Sequence, residues 1–117
     1  ERWNLLHPDD APRSCHVADC LKGRKGPAVA ATDYMRIFAE QIRPFMGDRR
    51  YVTLGTDGFG RSDTRGQLRK FFEVNRYYVV IAALRALADD GQVPLKLVGE
   101  AIKKYGIDPE KPAPWTV

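Results

Sequence analysis

Two short apolar runs along the chain have the length and composition of buried strands. Residues 27–32 read Pro-Ala-Val-Ala-Ala-Thr, and residues 51–56 read Tyr-Val-Thr-Leu-Gly-Thr, which is rich in β-forming side chains. The segment between them has helical spacing. Because parallel strands need a long connection between them, this strand, helix, strand order predicts a parallel crossover.

Four segments, the first of them between the two strands, repeat apolar residues at helical spacing, which predicts four helices that each carry an apolar face. The stripes are, in chain order, Met35, Phe38, Ala39 and Ile42; Leu68, Phe71 and Phe72; Tyr77, Val80, Ile81, Leu84, Leu87 and Ala88; and Leu95, Val98, Ile102 and Tyr105. The first helix is predicted to be capped by Thr32 or Asp33, the third by Asn75, and the fourth to begin at Pro94.

Two strands are too few for a stable parallel sheet, because buried parallel strands need neighbours and cover on both faces. We therefore expect a three-layer α/β/α domain in which residues 1–26 are a connector and residues 27–117 an α/β core. The missing first strands would lie upstream or come from another copy of the chain. The chain also starts without Met in an amphipathic cluster, which indicates a piece of a longer protein.

Composition limits the classes of function. The 117 residues suffice for one domain, and 44% are apolar. No apolar run approaches the roughly 20 residues of a membrane span, and two cysteines are too few for a disulfide scaffold, so we expect a reducing cytoplasm.

The net charge is +4 and leaves a second class of function open. Basic residues cluster at Lys22, Arg24 and Lys25 and again at Arg49 and Arg50, but acidic residues are interspersed along the rest of the chain. The alternative function is therefore a small basic module that binds nucleic acid.

Ligand-type side chains occur together between Cys15 and Cys20. Cys15, His16, Asp19 and Cys20 fall in one run, but a zinc site usually needs four ligands in paired short spacings, and the only other histidine is His7. Adjacent Cys15 and His16 rarely point at each other, so a stand-alone cysteine enzyme is a weak alternative. We predict no metal, cofactor or catalytic residue here.

The loop after the second predicted strand is the strongest candidate site. It reads Asp57-Gly58-Phe59-Gly60-Arg61-Ser62-Asp63. A glycine-containing turn before a helix can hold phosphate, yet carboxylates flank this one and no phosphate-loop or dinucleotide spacing follows. We interpret the loop as a structural turn at an interface, with Ser62 or Asp63 capping the next helix.

The same loop carries a resemblance to a known family. Residues 56–65 and 68–74, with the helix from Tyr78 to Leu84, resemble the closing segment of homodimeric bacterial pyruvate dehydrogenase E1 components, which are transketolase-like. So do residues 1–8, residues 31–35 with 38–41, and residues 101–102 with 104–108. The resemblance covers nearly the whole chain, and the stretch from Asp57 to Asp63 is its most specific part.

The resemblance implies the carboxyl-terminal part of an α/β/α domain with a mostly parallel five-stranded sheet. It also implies a complete enzyme that decarboxylates pyruvate on thiamine diphosphate with magnesium, acts as a homodimer, and passes acetyl to the lipoyl group of the E2 acetyltransferase. The family's Gly-Asp-Gly cofactor signature is not among these residues. We therefore expect this piece alone to be inactive, to bind no cofactor and to be prone to self-association.

Overall fold

The chain folds into six α-helices and two short strands in a computed structural model that describes residues 1–117. The elements are α1 (Arg2–Leu6), α2 (His16–Leu21), β1 (Ala28–Ala31), α3 (Arg36–Glu40), β2 (Tyr51–Leu54), α4 (Arg65–Phe71), α5 (Arg76–Asp89) and α6 (Leu95–Lys104), with 3-10 turns at Arg43–Phe45 and Pro114–Thr116. The predicted α/β class is confirmed.

The two strands pair in parallel, as their order predicted. Val29 lies opposite Val52, and the pair continues from Ala28 opposite Tyr51 to Ala31 opposite Leu54. No third strand joins either side. Both outer edges therefore keep unpaired backbone groups, which is the shortage of strands inferred from the sequence.

Helices pack on this pair and on each other. α5 and α3 each contact both strands, and α6 packs along α5. α5 contains Ala86, which is almost completely buried, and α6 contains buried Val98 and Ala101.

The first predicted helix is shorter than its apolar spacing suggested. Its cap is neither Thr32 nor Asp33, because Thr32 Oγ1 accepts the amide of Tyr34 and the carbonyl of Tyr34 accepts the amide of Thr56. These bonds hold residues 32–34 out of the helix. The predicted stripe is also wrong in part, since Met35 and Phe38 are exposed.

The caps of the later helices are partly as predicted. Asn75 caps α5 by accepting the amides of Tyr77 and Tyr78. Thr64, rather than Ser62 or Asp63, caps α4, because its hydroxyl accepts the amide of Gln67. Pro94 is the residue before α6 rather than its first residue.

Residues 1–26 contain two short helices where only a connector was predicted. Trp3 of α1 stacks on His7 at 4.3 Å and under the guanidinium of Arg13 at 3.8 Å. The guanidinium of Arg49 donates to the carbonyl of Arg24 at 2.8 Å and to that of Gly26. The segment is thus tied to the core through one arginine.

The molecule is thin and open for its length. Its radius of gyration is 17.4 Å and its shortest dimension 20 Å, whereas a compact domain of this length has a radius of gyration of about 13 Å. Only nine residues are buried, and large apolar side chains such as Ile37, Phe38 and Trp115 are exposed. These apolar faces are left uncovered within the chain.

A polar cluster joins α3 to β2. The carboxylate of Glu40 accepts two hydrogen bonds from Arg43, at 2.5 and 2.8 Å, and one from Thr53 Oγ1 at 2.6 Å. The hydroxyl of Tyr51 donates to the carbonyl of Ala39 at 2.6 Å. The short helix is therefore held by side-chain hydrogen bonds as well as by packing.

These bonds predict an acid-dependent loss of stability. The hydrogen bond from Arg43, followed by that from Thr53, lowers the pKa of Glu40 from 4.5 to about 2. Because the folded-state pKa lies below the unfolded one, the contribution of Glu40 is fully present above pH 4.5 and is lost as the pH falls toward 2. In urea unfolding across this pH range, Glu40→Gln should flatten the decline, and the exposed, unpaired Glu110→Gln should leave it unchanged. An equally steep decline in Glu40→Gln would contradict the assignment.

Candidate functional site

The candidate loop leaves β2 through a close backbone contact with the segment before α3. The amide of Thr56 donates to the carbonyl of Tyr34 at 2.9 Å, and the Thr56 hydroxyl donates to the carbonyl of Asp33 at 3.0 Å. A Cβ at Gly55 would lie 2.6 Å from the amide nitrogen of Arg36. Only glycine at this position allows the two segments to run so close together.

Asp57 points away from the rest of the loop. Its carboxylate accepts the backbone amide of Arg36 at 3.2 Å and forms an ion pair with the Arg36 side chain. The same guanidinium lies 5.0 Å from the centre of the Trp115 ring. Asp57 therefore joins the loop to α3, and its charge is balanced within the chain.

Gly58 and Phe59 form the outer turn of the loop. Gly58 has φ +115°, and a Cβ there would lie 2.9 Å from the carbonyl oxygen of Pro114. The carboxyl-terminal segment thus covers one side of the turn. Phe59 is 75% exposed, more than any other aromatic side chain in the chain.

The second half of the loop presents an arginine without a carboxylate partner. The guanidinium of Arg61 lies 3.9 Å above the Phe71 ring, and it forms no ion pair or hydrogen bond within the chain. Asp63 is engaged locally, since its carboxylate accepts the amide of Thr64 at 2.7 Å. Ser62 is exposed.

A cavity of about 470 Å³ lies between this loop and α4. Three arginines line it, namely Arg61 from the loop and Arg65 and Arg69 one turn apart on α4. A single carboxylate, that of Asp33, contacts two of them, at 3.2 Å from Arg69 and 4.0 Å from Arg65. The other lining residues are Thr56, Gly58, Phe59, Gly60, Asp63, Leu68 and Phe72.

The carboxylates that flank the loop, which argue against phosphate binding in the sequence, both make contacts within the chain. Asp57 is paired with Arg36, and Asp63 accepts a backbone amide. Arg65, Arg69 and Asp33 also belong to the site and were not predicted. The spacing of four residues between the two arginines was a usable signal, because it places both on one face of a helix.

The cysteine segment does not gather a set of metal ligands. His16 Nε2 lies 3.4 Å from Cys20 Sγ on the exposed side of α2. No group of three or more His, Cys, Asp or Glu side chains comes together to hold a metal ion anywhere in the chain.

Two of the five basic residues considered for nucleic-acid binding are engaged within the chain. Arg50 forms an ion pair with Asp90 at 2.8 Å, and Arg49 donates to backbone carbonyls of the connector. Lys22, Arg24 and Lys25 are exposed. The arrangement does not support the nucleic-acid alternative. No helix combines the length and apolar character needed to cross a membrane.

Comparison with known proteins identifies the family. The model of the transketolase-like TK C-terminal domain matches residues 2–75. The pyruvate dehydrogenase E1 component of Cupriavidus necator is 64% identical over 117 residues, which is 100% of this chain and 13% of that protein. The E1 components of Pseudomonas aeruginosa and Escherichia coli K12 are 60% and 51% identical over 97% of this chain and 13% of theirs.

The chain spans about an eighth of the length of these relatives, as its 13% share of each shows. The family model includes the candidate loop and its preceding strand, so the most specific part of the resemblance lies inside the matched region. The chain belongs to the transketolase-like C-terminal domain family.

Proposed function

We propose that this chain is the carboxyl-terminal structural and assembly part of a pyruvate dehydrogenase E1 component. The observation that carries the proposal is 64% identity along all 117 residues to a relative of that name. The complete enzyme would decarboxylate pyruvate on thiamine diphosphate with magnesium and transfer acetyl to the lipoyl group of E2. It would act in the cytoplasm as a homodimer.

In this proposal, residues 1–26 connect to the preceding part of the enzyme and residues 27–117 belong to a three-layer domain. The thin shape and the free strand edges support the three-layer domain, because they require neighbouring elements to cover them. Thiamine diphosphate and magnesium would be held elsewhere in the complete enzyme. In isolation, the free edges and exposed apolar side chains would favour self-association.

The loop from Asp57 to Asp63 would serve as a structural turn at a contact with a neighbouring domain or subunit. Phe59 supports this role, because an aromatic side chain exposed to 75% on a turn is suited to insertion into a partner. Arg61 would pair with a carboxylate across that contact, since it has no acidic partner within the chain. The loop would contribute no catalytic group.

The test is an assay of the complete gene product. Purified with thiamine diphosphate and magnesium, it should transfer acetyl from pyruvate to a lipoyl domain of E2, and the separately expressed residues 1–117 should show no transfer. Omission of pyruvate provides the blank. A folded complete product that has no pyruvate-dependent activity would exclude an E1 component.

A further inference from the structure

We propose that the cavity between the loop and α4 binds a small organic anion, whose carboxylate or phosphate group is held by Arg61 and Arg65 and whose apolar body lies against Leu68 and Phe72. The inference adds a ligand site to the proposed assembly role. It rests on that role only in that Arg61 would take part in both contacts. The cavity's volume of about 470 Å³ falls in the range of about 300–1,000 Å³ that small-molecule sites occupy.

The guanidinium groups of Arg61 and Arg65 have few partners within the chain. Stacking on Phe71 uses the face of the Arg61 guanidinium, so its N–H groups lie at the edges without a partner in the chain. Arg65 has only one contact, at 4.0 Å from Asp33. One carboxylate takes at most two of the five N–H donors of an arginine, so a contact across an interface would still leave donors of Arg61 for a ligand.

The two carboxylates that line the cavity, those of Asp33 and Asp63, make contacts within the chain. Asp33 contacts Arg69 more closely than Arg65, and Asp63 accepts a backbone amide. Asp33 also places a carboxylate beside the two arginines of α4. The lining carries three arginines and two carboxylates, so a ligand anion would meet a net positive charge.

The cavity wall has room for a ligand body. A Cβ at Gly60 would meet no atom within 4 Å, and the backbone of Gly60 does not have the positive φ that disfavours other residues. The aromatic rings of Phe59 and Phe72 line the same space. Because Gly60 lines the cavity and tolerates a side chain without strain, Gly60→Leu serves as a blocking variant.

The experiment is calorimetric titration of the complete gene product with phenyl phosphate and phenylacetate as probes. Inorganic phosphate and benzyl alcohol represent the charged and apolar halves alone. We expect at least one of the two aryl anions to bind more tightly than either half, and the preferred anion distinguishes a phosphate from a carboxylate ligand. Arg61→Ala should weaken binding by about tenfold, the value for one charge-assisted hydrogen bond.

Two variants complete the test. Gly60→Leu should abolish binding, and Arg85→Ala, which removes a surface arginine paired with Asp89 outside the cavity, should leave it unchanged. Absence of binding, or binding that Arg61→Ala and Gly60→Leu do not weaken, would overturn the ligand site. If neither probe binds but Arg61→Ala promotes dissociation of the dimer, the ligand site is overturned while the interface role of Arg61 stands.

Discussion

Replacement of Gly55 by alanine should destabilise the chain by about 3 kcal/mol, the upper part of the range for overpacking. The added Cβ would lie 2.6 Å from the amide nitrogen of Arg36 and 2.7 Å from the carbonyl oxygen of Tyr34. Both are backbone atoms, so relief requires the segment before α3 to move away from the loop. That movement would also break the bond from the Thr56 amide to the carbonyl of Tyr34. The urea midpoint of unfolding measures the loss.

A glycine elsewhere provides the control for this substitution. Gly99 lies inside α6, and a Cβ there would meet no atom within 4 Å. Alanine at Gly99 should raise stability by about 0.8 kcal/mol, because glycine is a poor helix former. Equal urea midpoints for Gly55→Ala and the unaltered chain would show that the close approach of the two segments is not required.

The second large effect is expected at Phe72. This side chain is 9% exposed at the end of α4 and meets Phe71 edge to face, with ring centres 5.0 Å apart. Truncation of a buried phenylalanine to alanine costs about 3–5 kcal/mol, through lost burial and the cavity left behind. Since only nine residues of the chain are buried, Phe72→Ala removes a large part of its small core.

Phe59 is the matched control because it differs from Phe72 mainly in exposure. At 75% exposure, Phe59→Ala should change the free energy of unfolding of the isolated chain by less than about 0.5 kcal/mol. Both values come from the same urea titration. A comparable loss in the two variants would mean that Phe59 is packed in solution, which would weaken its proposed role at an interface.

The sequence predicted the strands and the later helices because their signals are local. The β-forming run before Gly55 and the cap at Asn75 act over a few residues, and both predictions are confirmed. The first helix was predicted too long because a distant residue decides its start. Thr56 bonds to the carbonyl of Tyr34, and no periodicity in residues 32–44 reveals that contact.

The candidate site was predictable only in part for the same reason. The loop itself was found from its composition, but the cavity depends on Asp33 lying beside Arg65 and Arg69, which are more than thirty residues away in sequence. The engagement of Asp57 by Arg36 is likewise a tertiary contact. The charge of Asp57, which looked repulsive along the sequence, is therefore compensated in three dimensions.

Arg36 connects three separate segments through one guanidinium group. It belongs to α3, pairs with Asp57 in the loop and lies against the Trp115 ring near the carboxyl terminus. Substitutions at Asp57 and Trp115 both act on this shared side chain, so their energetic effects should not be additive. The carboxyl terminus and the loop thus form one thermodynamic unit, and sequence changes in one constrain those tolerated in the other.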